Sequence, residues 1–164
     1  MTAERRARAR AYGLLLSGAI GAGLLGAVFD ELTVSLSPEY FTLGKGLSPE
    51  GLRAEVAWMG FRAALPLGAL GVGVGLLRSQ KDPELPWGAW LRRIVCAFMA
   101  SLLVAAALMA VIDPFGVRAA SRGVLSPLGA TRYLLAWGLH VGAYLGVGVG
   151  VAIAGRAPRR DPGR

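Results

Sequence analysis

The chain has 164 residues, of which 54% are hydrophobic and only 17% charged, and its formal net charge at pH 7 is +8. A disordered chain is excluded, and a soluble globular one, which would carry about a quarter charged residues, is disfavoured. The apolar residues fall in four long blocks, so the expected class is an all-α integral membrane protein forming a single domain over 1–164.

In chain order, a tail at 1–10 carries Arg5, Arg6, Arg8 and Arg10 and leads into a charge-free run from Ala11 to Phe29. That run is too long for a signal-peptide core and no A-x-A site precedes Asp30 cleanly at its end, so it reads as an uncleaved first span. The span covers about Tyr12 to Phe29 and extends as far as Leu32 at most. Beyond it, Leu32, Val34 and Leu36 alternate with Thr33, Ser35 and Ser37, which predicts a short strand. Ser37-Pro38-Glu39 then reads as a helix or turn start, and Tyr40 and Phe41 suit an interface. Together these residues predict a small cap over the bundle.

Ser48-Pro49 is a helix-start signal, since Ser caps free N–H groups and Pro fits the first helical position. The second span follows from about Val56 to Leu77 and is interrupted by Arg62. The third runs from about Trp90 to Ile112 and contains the single cysteine, Cys96, expected as a small buried hydrophobe. A second Ser-Pro start, Ser126-Pro127, precedes the fourth span, Tyr133 to Ala154. The C-terminal tail is 156–164.

The N-tail, the second loop and the C-tail hold twelve Lys or Arg residues, whereas the first and third loops hold five. The positive-inside bias therefore places both termini in the cytoplasm and loops 31–55 and 113–132 outside. Sixteen of the eighteen basic residues are Arg, and Ala, Gly and Leu abound, which fits the coding bias of a GC-rich bacterium and hence its inner membrane. Basic residues flanking apolar blocks match anionic lipid rather than nucleic acid, which is not an expected partner. Trp58, Trp87, Trp90 and Trp137 sit near span ends, as interfacial anchors do.

Three landmarks recur in order. AVFD at 27–30 matches AVID at 110–113, LSPEG at 47–51 matches LSPLG at 125–129, and LGVGVG occurs at 70–75 and 145–150. They predict a tandem duplication of a two-helix unit, with halves of about 11–78 and 90–155 and a pseudo-two-fold axis along the membrane normal. Gly138, Gly142, Gly146 and Gly150 form a ladder at four-residue spacing, answered by Gly18, Ala22 and Gly26 in the first span. Small residues of this kind let helices approach closely, so the two faces are expected to meet, within one chain or between chains of a homo-oligomer.

Ionisable residues inside spans are costly in the bilayer and default to functional candidates. Arg62 and His140 qualify, both roughly 10–12 Å below the outer starts of their spans at about 1.5 Å per residue. Arg62 needs a counter-charge, for which Asp30, Glu31, Glu55 and Asp113 are the candidates, or else it snorkels or locks two helices. Tyr144, one turn below His140, extends the network, and Glu39 is either a further partner or a solvated loop carboxylate. The expected arrangement is an outward-open polar pocket for a small solute or ion. A buried, satisfied His140 and a purely structural ion pair remain the alternatives.

The segment DELTVSLSPEYFT resembles one that follows the first span in small bacterial membrane proteins, with a D-[QE]-x-T-x-x-x-S-P-E-Y-F-T-like pattern. MGFRAALPLG and GLHVGAYLG are loosely similar to other parts of them. The resemblance implies a four-span fold and no activity, so it supplies no catalytic residues. No G-x-S-x-G, H-E-x-x-H, Walker A or Rossmann pattern is present, and one histidine without a C-x-x-C-H is a poor haem site. No cofactor or metal is implied and an enzyme is unsupported. The remaining alternative is an accessory or assembly subunit acting on a partner membrane protein through helix and loop contacts.

Overall fold

The computed structural model describes residues 2–81, 87–121 and 123–155, with α1 at Ala3–Leu36, α2 at Pro38–Lys45, α3 at Leu52–Lys81, α4 at Trp87–Ile112, α5 at Val117–Ala120 and α6 at Pro127–Gly155. The described residues contain no strand. Four helices are long and apolar enough to cross a membrane: α1, α3, α4 and α6. The twelve-against-five count of basic residues includes the C-terminal tail, which lies outside the described residues, as do the side chains of Trp87 and Trp90.

The predicted strand at 32–37 is instead the last turn and a half of α1, which runs to Leu36. Its polar residues need no cross-strand partner because their hydroxyls bond back along the helix. Thr33 Oγ1 donates to the Phe29 and Asp30 carbonyls at 3.1 and 3.0 Å, and Ser35 Oγ donates to Glu31 O at 2.9 Å. Asp30, Thr33, Val34 and Ser37 are all buried. Offsets of three, four and seven residues place them on one face of a helix, whereas the alternation of Leu32, Val34 and Leu36 is incidental. Asp30 therefore lies within α1 and does not end it.

Ser37 turns the chain. Its extended backbone, at φ −149°, ends α1, its Oγ accepts the Tyr40 N–H at 3.3 Å, and Pro38 opens α2. Gly46, left-handed at φ 70°, closes α2. Ser126 likewise caps α6, accepting the Gly129 N–H at 3.0 Å. Ser48-Pro49 does not start a helix. Ser48 Oγ accepts the Glu50 N–H at 3.3 Å in a turn, and α3 begins only at Leu52, after Gly51 with its φ of 71°.

The long helices form two hairpins, α1 against α3 and α4 against α6. Backbone contact at small residues zips each one. A Cβ added at Gly60 would meet the Gly26 carbonyl, and one at Gly68 would meet Gly18 O and Ala22 Cβ. In the second hairpin, Cβ atoms at Gly138, Gly142, Gly146 and Gly150 would come within 2.6 to 2.9 Å of the Cα atoms of Ala106, Leu102, Phe98 and Ile94. The α6 ladder thus faces α4, and Gly18, Ala22 and Gly26 face α3, so the two glycine faces do not meet each other. Cys96 lies on the outward side of α4 and is exposed, contrary to the expected burial. Its offset of two residues from both Ile94 and Phe98 turns it away from the α6 contact.

The hairpins join through α6, which touches α1, α2 and α3, while α4 packs on α6 with little or no contact to α1 or α3. The shared core sits at the α2 end of the molecule. It comprises Val34, Tyr40, Phe41, Val56 and Ala136, flanked by Leu36, Leu47, Leu52, Met59, Tyr133 and Trp137.

Candidate functional site

Beneath this core lies the one side-chain hydrogen bond that joins the hairpins among the described residues. His140 Nε2 of α6 and Asp30 Oδ1 of α1 are 3.0 Å apart. The two residues are 8% and 6% exposed, the most deeply buried ionisable pair among the described residues. Asp30 sits opposite Gly60 of α3, where an added Cβ would come 2.8 Å from its Cγ and Oδ2. Glycine at that place gives the carboxyl its room.

The imidazole is fixed on its other side by the Ala136 carbonyl, 2.8 Å from Nδ1. A carbonyl only accepts, so Nδ1 carries a hydrogen. The opposing Nε2 faces a carboxyl oxygen, and a bond there requires one further proton between them. Two forms satisfy both contacts: imidazolium with carboxylate, or imidazole with carboxylic acid. Each is neutral overall, which is what a site of low polarity favours. Three rings surround the imidazole, with centroids at 5.3 Å for Phe29, 4.7 Å for Tyr40 and 5.7 Å for Phe41. Aromatic faces favour a cation among them. Burial pushes the Tyr40 phenol well above its usual range, with the nearby Tyr144, Asp30 and Tyr133 adding to the effect, so Tyr40 is neutral at ordinary pH.

The other predicted residues disperse around this centre. Arg62 is exposed on α3, its guanidinium 5.7 Å from the centroid of the Trp58 ring. It follows Gly60 by two residues, a rotation of about 200°, so it points away from Asp30 and does not share a pocket with His140. Glu31 pairs with Arg53 at 2.7 Å, and Glu39 accepts from Ser37 Oγ at 3.0 Å. Asp113 ends α4 with φ 47° and caps α5, accepting the N–H groups of Val117 and Arg118 at 2.8 and 3.0 Å. Tyr144 is 51% exposed, one turn from His140. Asp30 and His140 are thus brought together, whereas Arg62, Glu31, Glu39 and Asp113 are engaged elsewhere. The centre is packed shut by aromatic rings rather than open as a pocket.

Gly60, Thr33, Ser37, Tyr40 and Phe41 belong to the site but were not predicted to. A signal existed for Gly60: with Ala64 and Gly68 it marks the small-residue face of α3 at four-residue spacing. The four-helix architecture and the buried acid–histidine pair define the class, a helical protein with four potential membrane spans. No family model, curated protein or solved structure matches the chain.

Proposed function

We propose that this is a bacterial inner-membrane protein with both termini in the cytoplasm, and that it binds or passes a small ion or solute at the junction of its two hairpins. The observation that carries this reading is the buried Asp30–His140 pair, set inside two helices of spanning length and bridging the two halves of the molecule. An ionisable pair in such a place is expensive to keep unless it is used. A carboxylate whose partner can become neutral is a natural site for a small cation. In this orientation α2 lies on the outer side and closes the centre from above. The tandem duplication belongs to the same reading: each half is a long helix, a short one and a long one, and each is zipped by glycines. The accessory-subunit alternative loses part of its basis, because the glycine faces it would offer to partner helices are occupied within the chain.

The test is flux across liposomes containing the purified protein. A pH dye and cation dyes would follow H⁺, Na⁺, K⁺ and NH₄⁺ under imposed gradients. Flux of one of these that is lost in Asp30→Ala and in His140→Ala supports the reading. Absence of flux for all four, in protein shown to be folded, removes it and leaves the accessory role.

A further inference from the structure

We propose that the Asp30–His140 pair is a proton latch: with its shared proton bound it fastens the two hairpins beneath α2, and loss of that proton opens the junction. The proposal rests on reading the pair as the ion-binding centre and names the proton as the ion that it binds.

The geometry makes the proton indispensable. Without the second proton the ring has one N–H for two acceptors, the Ala136 carbonyl 2.8 Å from Nδ1 and Asp30 Oδ1 3.0 Å from Nε2. One of the two contacts is lost, and the junction passes from neutral overall to a buried anion with no counter-charge, which favours the entry of water. Among the described residues, none of the surroundings offers a replacement cation. From α1, Glu31 turns to Arg53 of α3. From α3, Gly60 faces the pair and Arg62 lies on the opposite side with Trp58. From α2 come Tyr40, with Lys45 Nζ engaged over its ring 5.5 Å from the centroid, and Glu39, which is tied to Ser37. From α6 come Tyr133 and Tyr144, both phenols. Asp113 and Arg118, at the start of α5, are occupied with each other.

The fold also supplies something to move. Each hairpin is zipped by its own glycines, so each can turn as a rigid body. Between them stand the aromatic cap and one side-chain hydrogen bond. Breaking that bond from within, by a change of one charge, biases such a two-body joint without unfolding either part.

The chain has one histidine, so protein labelled with ¹⁵N-histidine and held in lipid nanodiscs gives one imidazole spectrum to follow with pH. Opening is read in parallel, in a Cys96→Ser background, from the rate at which a water-soluble maleimide labels a cysteine at position 33. Thr33 is 2% exposed in the latched form. The rate is divided by that for a cysteine at the exposed position 35, which corrects for thiolate formation. The ratio is expected to rise by about tenfold or more across the pH range in which the ring loses its second proton. In Asp30→Asn the amide N–H donates to a neutral Nε2 without any extra proton, so the ratio stays low and flat. The proposal is overturned if the ratio does not change while the ring titrates, if the ring keeps one protonation state over the whole pH range in which the protein stays folded, or if Asp30→Asn retains the rise. Val34→Cys serves in place of Thr33→Cys if the latter does not fold. A latch without ion flux would sink the transport reading alone, and flux without a latch would sink this proposal alone.

Discussion

The pairing of one acid with one histidine has consequences that each residue shows differently. His140→Ala leaves Asp30 buried without its partner, and breaking a buried pair from one side costs about 3–5 kcal/mol. Asp30→Asn keeps a hydrogen bond to Nε2 and is expected to cost much less. Unfolding of the purified variants in micelles separates the two, and equal losses would mean that the carboxyl is not held by the histidine. Tyr40 gives a second, independent readout. Its phenol is pushed up in the folded protein, above the value near 10 at which the unfolded chain ionises. Below about pH 10 it is neutral in both states, and above it the unfolded chain loses a proton that the folded one keeps. Folding stability therefore falls as pH rises from about 10. Tyr40→Phe should flatten that alkaline loss, and an unchanged slope would assign it to other groups. The sequence singled out Asp30 and His140 because each interrupts or borders an apolar run, a property visible in one dimension. It grouped Arg62 with them for the same reason, and depth along a helix does not reveal which face a residue occupies. The face was encoded in Gly60, Ala64 and Gly68, from which Arg62 is turned away.

At the scale of the helix, glycine sets the interhelical distance, and its substitutions can be ranked from the space around each. An alanine at position 60 would place a methyl against the Gly26 backbone and 2.8 Å from the Asp30 carboxyl, with no flexible side chain to yield on the α1 backbone side. Overpacking of this kind costs about 1–3 kcal/mol. At Gly71 of the same helix nothing lies within 4 Å. There, alanine should be neutral or stabilising by up to about 1 kcal/mol, through the lower entropy of the chain. A comparison of Gly60→Ala with Gly71→Ala by thermal unfolding tests the assignment, and similar values for both would show that the α1–α3 contact is looser than described. Gly60→Ala should also shift the ring signals of His140, since it displaces the residue that holds them. The helical spans were legible because a run of about twenty apolar residues has few other uses. The last part of α1 was misread because a helix face at offsets of three, four and seven and a strand with alternating residues overlap in so short a stretch. What settles it is the burial of Thr33 and Ser37 on the same face as Val34, whose core cluster includes Tyr40 and Phe41 of α2 and Ala136 of α6, a tertiary fact.

The molecule as a whole consists of two self-contained hairpins with a narrow joint. Contacts within each hairpin run from the Gly18–Gly68 pair to the Gly26–Gly60 pair in one and from Gly138 to Gly150 along α6 in the other, whereas those between hairpins gather at Asp30, His140 and the α2 cap. A chain built this way should tolerate division between α3 and α4. Fragments 1–84 and 85–164, expressed together, are expected to insert as separate hairpins and to co-purify through a tag on one of them. The joint then becomes a binding equilibrium, in which every 1.4 kcal/mol is about tenfold in the amount recovered. His140→Ala in the second fragment should lower recovery by at least tenfold on that scale, since the lost pair leaves the Asp30 carboxyl unpartnered in the first. Asp30→Asn in the first fragment should lower it little. Recovery unaffected by His140→Ala would place the strength of the joint in the aromatic cap of Tyr40 and Phe41. Fragments that never associate would mean that the hairpins are held by the connection between them rather than by their contacts. Because the fragments carry no covalent link, the same pair measured at several pH values reads the latch directly: association should weaken as pH rises in the wild-type pair and stay level with Asp30→Asn.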